Sequence, residues 1–234
     1  MPRTRLERLV ADRSPLSRSV ARAAIRRGRV TVDGACLRNP SAAIDPSATL
    51  TLDGRLLGAP PVLAWLHKPA GVHSTVGDPQ GRPNLSGVAA PLLALGFHPV
   101  GRLDADTSGL LPFSRDGALT QRLLHPRHGI EKTYEAIVTP APAADLGARL
   151  AAGVSTALGT HTARLDHLDG ARVVLTVTEG KHRMVRRMLA NLGHPVDALH
   201  RIRFGPMVLA ELAPGGWQLA AGDDLAWAEA LTSP

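Results

Sequence analysis

The sequence predicts an α+β protein in two parts. Runs with helical periodicity and runs with strand alternation interleave along 234 residues, without the regular strand–helix alternation of a parallel α/β fold. Charge is lopsided: residues 1–38 hold ten arginines and three acids (Glu7, Asp12, Asp33), a net +7, and the remainder balances 17 basic against 17 acidic residues. Between these halves DGRLLGAPP (53–61), with two glycines and two prolines, has the composition of a linker. An apolar content of 44% supports an ordinary core. No apolar run approaches the roughly 20 residues of a membrane span, and the arginine-rich N-terminus lacks the apolar stretch of a signal peptide. The single cysteine, Cys36, excludes an internal disulfide and fits a reducing compartment, so a cytoplasmic protein is expected.

The basic part opens with a helical run over 4–11, placing Leu6, Leu9 and Val10 inside and Arg5, Glu7 and Arg8 outside. Ser17 can cap a second helix. Val20, Ala24 and Ile25 line its inner side, Arg18, Arg22, Arg26 and Arg29 stack along one exposed ridge, and Gly28 closes it. Val30 and Val32 then alternate into an Asp33–Gly34 turn, and TLTLDG (49–54) ends in the same kind of turn. A concentrated basic module points to a polyanion, and a nucleic acid is the expected partner. The run SRSVARAAIRRGRVTVDG (17–34) resembles the S4 RNA-binding domain over about the first 55 residues. The resemblance implies that Arg18, Arg22 and Arg26 contact RNA phosphates, which position a protein without reading sequence.

The second part begins with VLAWLHKPAG (62–71), an apolar strand ending in His67 and Lys68. The lysine is either a surface accident or a cation aimed into the cleft of the acidic loop described next. Residues 72–98 are loop-like, then helical around VAAPLLALG. GRLDADTSGLL (101–111) is the densest feature: a loop carrying Asp104 and Asp106 beside Arg102, followed by a helical or strand stub. A carboxylate beside a guanidinium stays ionised and can act as nucleophile or base. A helix-capping turn is the plain alternative. A calcium loop is excluded, because its twelfth position is Arg115 rather than glutamate. An aspartyl-phosphate motif needs a hydrophobic strand before the first Asp, and HPVGRL, with Pro99 and Gly101, makes a poor one.

ALTQRLLHPRHG (118–129) is an amphipathic helix stopping at Pro126, with Leu119, Leu123 and Leu124 inward; His125 and His128 beyond it lack metal-ligand spacing. EKTYEAIV (131–138) is an alternating strand with Lys132, Tyr134, Ala136 and Val138 on one face. Tyr134, the chain's one tyrosine, is either core with a bonded hydroxyl or functional. A surface helix over 142–153 and a strand over 171–178 follow. In EGKHRMVRRMLANLGHPV, a helix puts Met184, Val185, Met188, Leu189 and Leu192 on one face and Arg183, Arg186 and Arg187 on the other. That arginine triplet is a solvated face or a clamp for phosphate or carboxylate. HRIRFG (200–205) adds Arg201 and Arg203, and GDDLAWAEAL forms a terminal helix with Asp223 or Asp224 at its start.

Four of these segments, LHKPAG (66–71), GRLDADTSGLL (101–111), HPRHGIEKTY (125–134) and EGKHRMVRRMLANLGH (179–194), together with the S4-like unit, resemble in order the RsuA-type ribosomal RNA pseudouridine synthases. The resemblance implies an S4-like αα-β domain (1–55), a linker (56–61) and a catalytic domain (62–234) built on a mixed, mostly antiparallel sheet flanked by helices. It implies an isomerisation in which uracil leaves its ribose at N1, turns, and rejoins through C5. Asp104 is then the essential carboxylate, Tyr134 stacks on the uracil and can join in proton transfer, and Arg186 pairs with Asp104. Arg102 holds the displaced strand, Lys68 and Lys132 line the cleft, and Arg183 and Arg187 contact RNA. The implied enzyme needs no cofactor or metal and works as a monomer on ribosomal RNA, free or in an assembling subunit. Residues Leu37 to Pro40 and LAPGGWQL (212–219) tilt the resemblance toward the 16S small-subunit enzyme over the 23S relatives. A non-catalytic S4-type assembly factor is the other reading. Two positions depart from the family pattern: Met184 stands where glutamine is usual, and Pro112 suggests a late start for the following strand.

Overall fold

The computed structural model describes residues 3–14, 16–58 and 62–232. Two compact units divide after residue 61.

The first unit holds β1 (Thr4–Arg5), α1 (Leu6–Asp12), α2 (Arg18–Arg26), β2 (Val30–Val32), β3 (Ala35–Cys36), β4 (Ala43–Ile44), β5 (Leu50–Leu52) and β6 (Arg55–Leu57). Ser17 caps α2 by accepting the Val20 N–H. Four strands form an antiparallel sheet in the order β3-β2-β5-β6, and β1 pairs with β4. Both expected turns have two consecutive residues at positive φ, Asp33–Gly34 and Asp53–Gly54, the geometry of type I′ hairpins. Leu6, Leu9, Val10, Ala21, Ile25, Val30 and Leu50 make the core. Two expectations fail. Val20 is 47% exposed, because α2 turns Ala21, Ala24 and Ile25 inward instead. Glu7 is buried, because a bidentate pair with Arg22 (2.7 and 3.0 Å) carries its charge inside. Leu56 and Leu57, expected in the linker, belong to β6. Residues 59–61 of that linker lie outside the described residues.

The second unit is one mixed sheet with helices on both faces. Its elements are β7 (Leu63–Lys68), α3 (Leu85–Val88), α4 (Ala90–Ala94), β8 (His98–Pro99), β9 (Thr107–Ser114), α5 (Gly117–Leu124), β10 (Lys132–Val138), α6 (Leu146–Ala152), β11 (Val154–Thr156), β12 (Gly159–His161), β13 (Arg164–Asp169), β14 (Arg172–Val177), α7 (Met184–Asn191), β15 (Val196–Phe204), β16 (Met207–Val208), β17 (Trp217–Leu219) and α8 (Asp223–Thr232). The main order is β13-β14-β10-β15-β9-β7-β17, antiparallel throughout except for the parallel pair β15–β9. Strand alternation sorts the core. Ala64, Leu66, Leu111, Phe113, Tyr134, Ala136 and Leu175 meet residues from α3, α4, α6 and α7 on one face. Leu63, Trp65 and Leu110 meet α5 and α8 on the other.

Pro112 does not delay β9, which runs unbroken from Thr107. Its carbonyl accepts the Val100 N–H, so its missing donor falls on the side of the two-residue strand β8 and spares the ladder to β7. Leu124 turns out of the α5 core and is 47% exposed.

Candidate active site

The parallel pair organises the site. Thr107, Ser108 and Gly109 of β9 lie against Leu199, His200 and Arg201 of β15, and β10 runs along the other edge of β15 with Tyr134 opposite Arg201. The fit at Gly109 requires glycine. Its φ is +110°, and a Cβ there would stand 2.2 Å from the Arg201 carbonyl oxygen. In front of this junction opens a cleft of about 760 Å³, lined by the loop 101–105, Lys132 and Tyr134 of β10, residues 179–183, and Leu199 and Arg201 of β15.

The acidic loop is held at every carbonyl from 103 to 106. Ser74 Oγ donates to the Leu103 carbonyl (2.6 Å) and accepts the Leu103 N–H (3.0 Å). The Thr107 N–H donates to the Asp104 carbonyl (3.0 Å). The Ala105 carbonyl takes the Gly71 N–H (2.7 Å) and, more distantly, Lys68 Nζ (3.4 Å). Arg186 Nη2 donates to the Asp106 carbonyl (2.9 Å). The Asp104 carboxylate itself makes no hydrogen bond among the described residues and stays 27% exposed in the cleft; the nearest basic side chain is His182, with Nε2 at 3.9 Å. The loop is fixed and its carboxylate is left free, the arrangement a reacting group needs.

The arginines behave differently from expectation. Arg186 pairs with Asp106, not Asp104. It is buried, donates Nη1 to the Val196 carbonyl (2.9 Å), and lies 3.4 Å from the Asp106 carboxylate. Arg183 grips the same carboxylate with both amino groups (3.2 and 3.1 Å) from a left-handed backbone position at the start of α7. The triplet therefore does not share an exposed face: α7 turns Arg186 inward because a buried guanidinium can satisfy two carbonyls that no apolar residue could. Burial raises the Asp106 carboxyl, but the Arg183 hydrogen bond and the charges of Arg186 and Arg183 outweigh it and hold the group below the usual carboxylate range. Arg187 is half-buried and stands outside the cleft lining.

Lys68 is likewise corrected. It does not line the cleft; it is fully buried beneath the loop, donating to the carbonyls of Pro69 (2.9 Å), Val72 (2.7 Å) and Ala105. Burial pushes its ammonium down to about 8, against the pull of Asp106 and Asp104. Lys132 does line the cleft. It donates to the carbonyls of Ile130 (2.7 Å) and Thr178 (2.9 Å), and burial with the nearby Arg201 charge lowers it to about 8. Arg102 is exposed at the rim. In the first unit Arg18, Arg22 and Arg26 are exposed along α2, with Arg22 engaged by Glu7. Among the described residues no cluster of His, Cys, Asp and Glu could hold a metal, and no helix is long and apolar enough to cross a membrane.

Sequence reasoning missed two groups of the cleft. His182 is the basic side chain nearest Asp104. Arg201 was noted only as another basic residue, yet it is 4% exposed and donates Nη1 to the Tyr134 hydroxyl (3.4 Å). Its position opposite Tyr134 in the β10–β15 pairing was the available signal, and it needed the register.

Both units resemble known proteins. The family model for RNA pseudouridylate synthase matches residues 62–191, and the S4 domain model matches residues 4–50. An RNA pseudouridine synthase of Mycobacterium tuberculosis (strain ATCC 25618 / H37Rv), itself uncharacterised, is 38% identical over 90% of this chain and 87% of its own. The ribosomal small subunit pseudouridine synthase A of Escherichia coli (strain K12) is 35% identical over 95% of this chain and 98% of its own. A crystal structure of a pseudouridylate synthase superposes with a TM-score of 0.66 and 31% identity, covering 97% of this chain and 99% of that one.

Proposed function

The chain belongs to the RNA pseudouridylate synthase family, and from that premise we propose that it converts one uridine of 16S ribosomal RNA to pseudouridine, with Asp104 as the reacting carboxylate. The observation that carries the assignment is the Asp104 loop: four consecutive carbonyls are tied down and the one free carboxylate faces a cleft shared with Tyr134. Support for the small-subunit RNA comes from the identity to the small-subunit enzyme over nearly the whole of both chains.

The uridine has to leave its stack to bring its glycosidic bond to Asp104, as in other enzymes that act on a base. Tyr134 lines the same cleft as that carboxylate and offers its ring to the extruded uracil. Asp104 then either attacks the anomeric carbon, with the logic of a retaining glycosidase, or takes up a proton from the sugar or base. Both routes run through the same oxygen atoms. Asp106, Arg186 and Lys68 act by holding the loop. Arg102 and Arg183 sit at the rim for the flanking RNA, and the α2 arginines of the S4 domain supply phosphate contacts.

Carbodiimide mapping of pseudouridine tests this on 16S and 23S RNA incubated with the wild type and with Asp104→Asn. A new stop at one 16S uridine, lost in the variant while RNA binding persists, is expected. Activity retained by Asp104→Asn refutes the role of that carboxylate. A stop only on 23S RNA moves the substrate, and tight binding without any stop makes the protein an assembly factor.

A further inference from the structure

Asp104 and Glu179 line the cleft and the Glu179 charge is felt at Lys132, yet neither Arg201 nor Lys132 forms an ion pair among the described residues. Arg201 is buried, lines the cleft, and has no ion pair among the described residues. Its guanidinium is held at two of its three nitrogens: Nε donates to the Leu110 carbonyl (2.7 Å), Nη1 reaches the Tyr134 hydroxyl, and Cζ lies 5.9 Å from the Tyr134 ring centroid and 5.3 Å from that of Phe204. Its Nη2 is buried and has no hydrogen-bond partner. An unused charged donor in a buried site is costly, and here it recurs beside a second cation. Lys132 Nζ packs 5.5 Å from the other side of Phe204 and spends its hydrogens on main-chain carbonyls, not on an acid. Arg186 also has a buried nitrogen without a partner, its Nε, but unlike Arg201 it has an acid, Asp106 at 3.4 Å, and two carbonyl acceptors.

A buried guanidinium with no paired acid, beside a half-buried lysine, suits an anion that arrives or forms. We propose that Arg201, backed by Lys132, stabilises the negative charge that develops on uracil when the glycosidic bond breaks, making Arg201 a catalytic residue of the isomerisation. The inference rests on the function proposed above. When the C1′–N1 bond breaks, its electron pair passes to the ring and spreads over the two carbonyl oxygens. Arg201 Nη2 supplies a donor to one of those oxygens, and the charge of Lys132 lowers the energy of the same anion. When C5 bonds to C1′, the electron pair returns to that bond. The C5 proton then leaves and N1 takes one up, so the anion is discharged and the atoms balance. A preorganised donor aimed at charge that exists only beyond the ground state acts on rate and not on binding.

The leaving group tests this. A 5-fluoro substituent stabilises the uracil anion and so reduces the need for an external cation. Single-turnover rates of C1′–N1 cleavage and RNA dissociation constants are measured for the wild type, Arg201→Gln and Arg201→Lys, on 16S RNA transcribed with uridine or with 5-fluorouridine. The fluorinated ring has no C5 proton to lose, so after C5 bonds to C1′ water adds at C6 and N1 takes up a proton, giving a C5-linked hydrate instead of pseudouridine. Arg201→Gln should lose about 100-fold in rate on uridine, the scale of one lost oxyanion donor. On 5-fluorouridine the loss should fall below about 10-fold, with RNA affinity nearly unchanged on both. Arg201→Lys keeps the charge without the fork and should fall between; if Arg201→Gln does not fold, that variant carries the same comparison. Equal losses on the two substrates reduce Arg201 to packing and overturn the inference while the proposed function stands. A loss of affinity at full rate makes it an RNA anchor and also overturns it. A wild type that forms no pseudouridine on the uridine RNA overturns the function, and this inference with it.

Discussion

Replacing Lys68 by Met isolates the support of the acidic loop, because the stem is conserved in volume and only the ammonium goes. Two opposing terms follow. The Pro69 and Val72 carbonyls lose donors at 2.9 and 2.7 Å in a buried place, at about 1–3 kcal/mol each. The drop of the ammonium from 10.5 to about 8 measures the cost of burying the charge, roughly 3 kcal/mol, and the variant recovers it. At pH 7 the two nearly offset, so Lys68→Met should be destabilised by only about 1–2 kcal/mol. Their pH dependence separates them. Between pH 8 and 10.5 the unfolded chain keeps the Lys68 proton and the folded chain has released it. Stability of the wild type therefore rises with pH across that window relative to the variant, by up to ~1.4 kcal/mol per pH unit. Urea unfolding of both proteins at pH 7 and pH 10 should show the gap between them widening by about 2–3 kcal/mol. A gap that stays constant refutes the buried-ammonium account. The single-turnover rate of the variant should also fall at pH 7 with RNA affinity retained, because the Ala105 carbonyl beside Asp104 loses one of its two donors.

Gly109→Ala should be the most damaging small change in the sheet, since its Cβ meets the backbone of β15 at 2.2 Å and the β9–β15 pair must part. A loss of more than about 4 kcal/mol, or no soluble protein, is expected, and an unfolding midpoint near that of the wild type would contradict the register. On the S4 domain, Arg26→Ala should lower the salt dependence of RNA binding by about one phosphate contact and leave the melting of that unit unchanged. Arg22→Ala should do the same and also lower that melting temperature, because Glu7 loses its bidentate partner. Identical thermal behaviour in the two variants argues against the pairing.

The elements were legible where local chemistry was unambiguous. The Asp33–Gly34 and Asp53–Gly54 turns, the Ser17 cap and the alternation of Lys132 to Val138 need nothing beyond neighbouring residues, and all were found as expected. The errors came from charges that fold inward. Glu7 was placed outside α1 because carboxylates are rarely buried, and the partner that permits it, Arg22, lies on another helix. Helical spacing leaves Arg186 open as part of a solvated face or as a carboxylate clamp, because spacing reports angle, not what stands at that angle; the carboxylate it meets is Asp106, not Asp104. Pro112 was taken to delay a strand because the sequence does not show that its donor side faces only a two-residue neighbour.

For the site, the motif led to the acidic loop but misassigned its supports. Asp104 and Asp106 differ by two positions and look interchangeable in sequence. In the fold they divide the work: Asp106 takes both arginines, and Asp104 takes none. That division has a chemical reason. A carboxylate clamped by two guanidiniums is a poor nucleophile and a poor base, since its lone pairs are occupied and its charge is neutralised. Spending the arginines on Asp106 fixes the backbone on either side of Asp104 without passivating it. Leaving Arg201 without an acid follows the same logic, because a cation already paired has little to offer an anion formed during the reaction. The site thus keeps in one cleft a carboxylate that no arginine takes and a guanidinium that no acid takes, while Asp106 and its two arginines hold the loop.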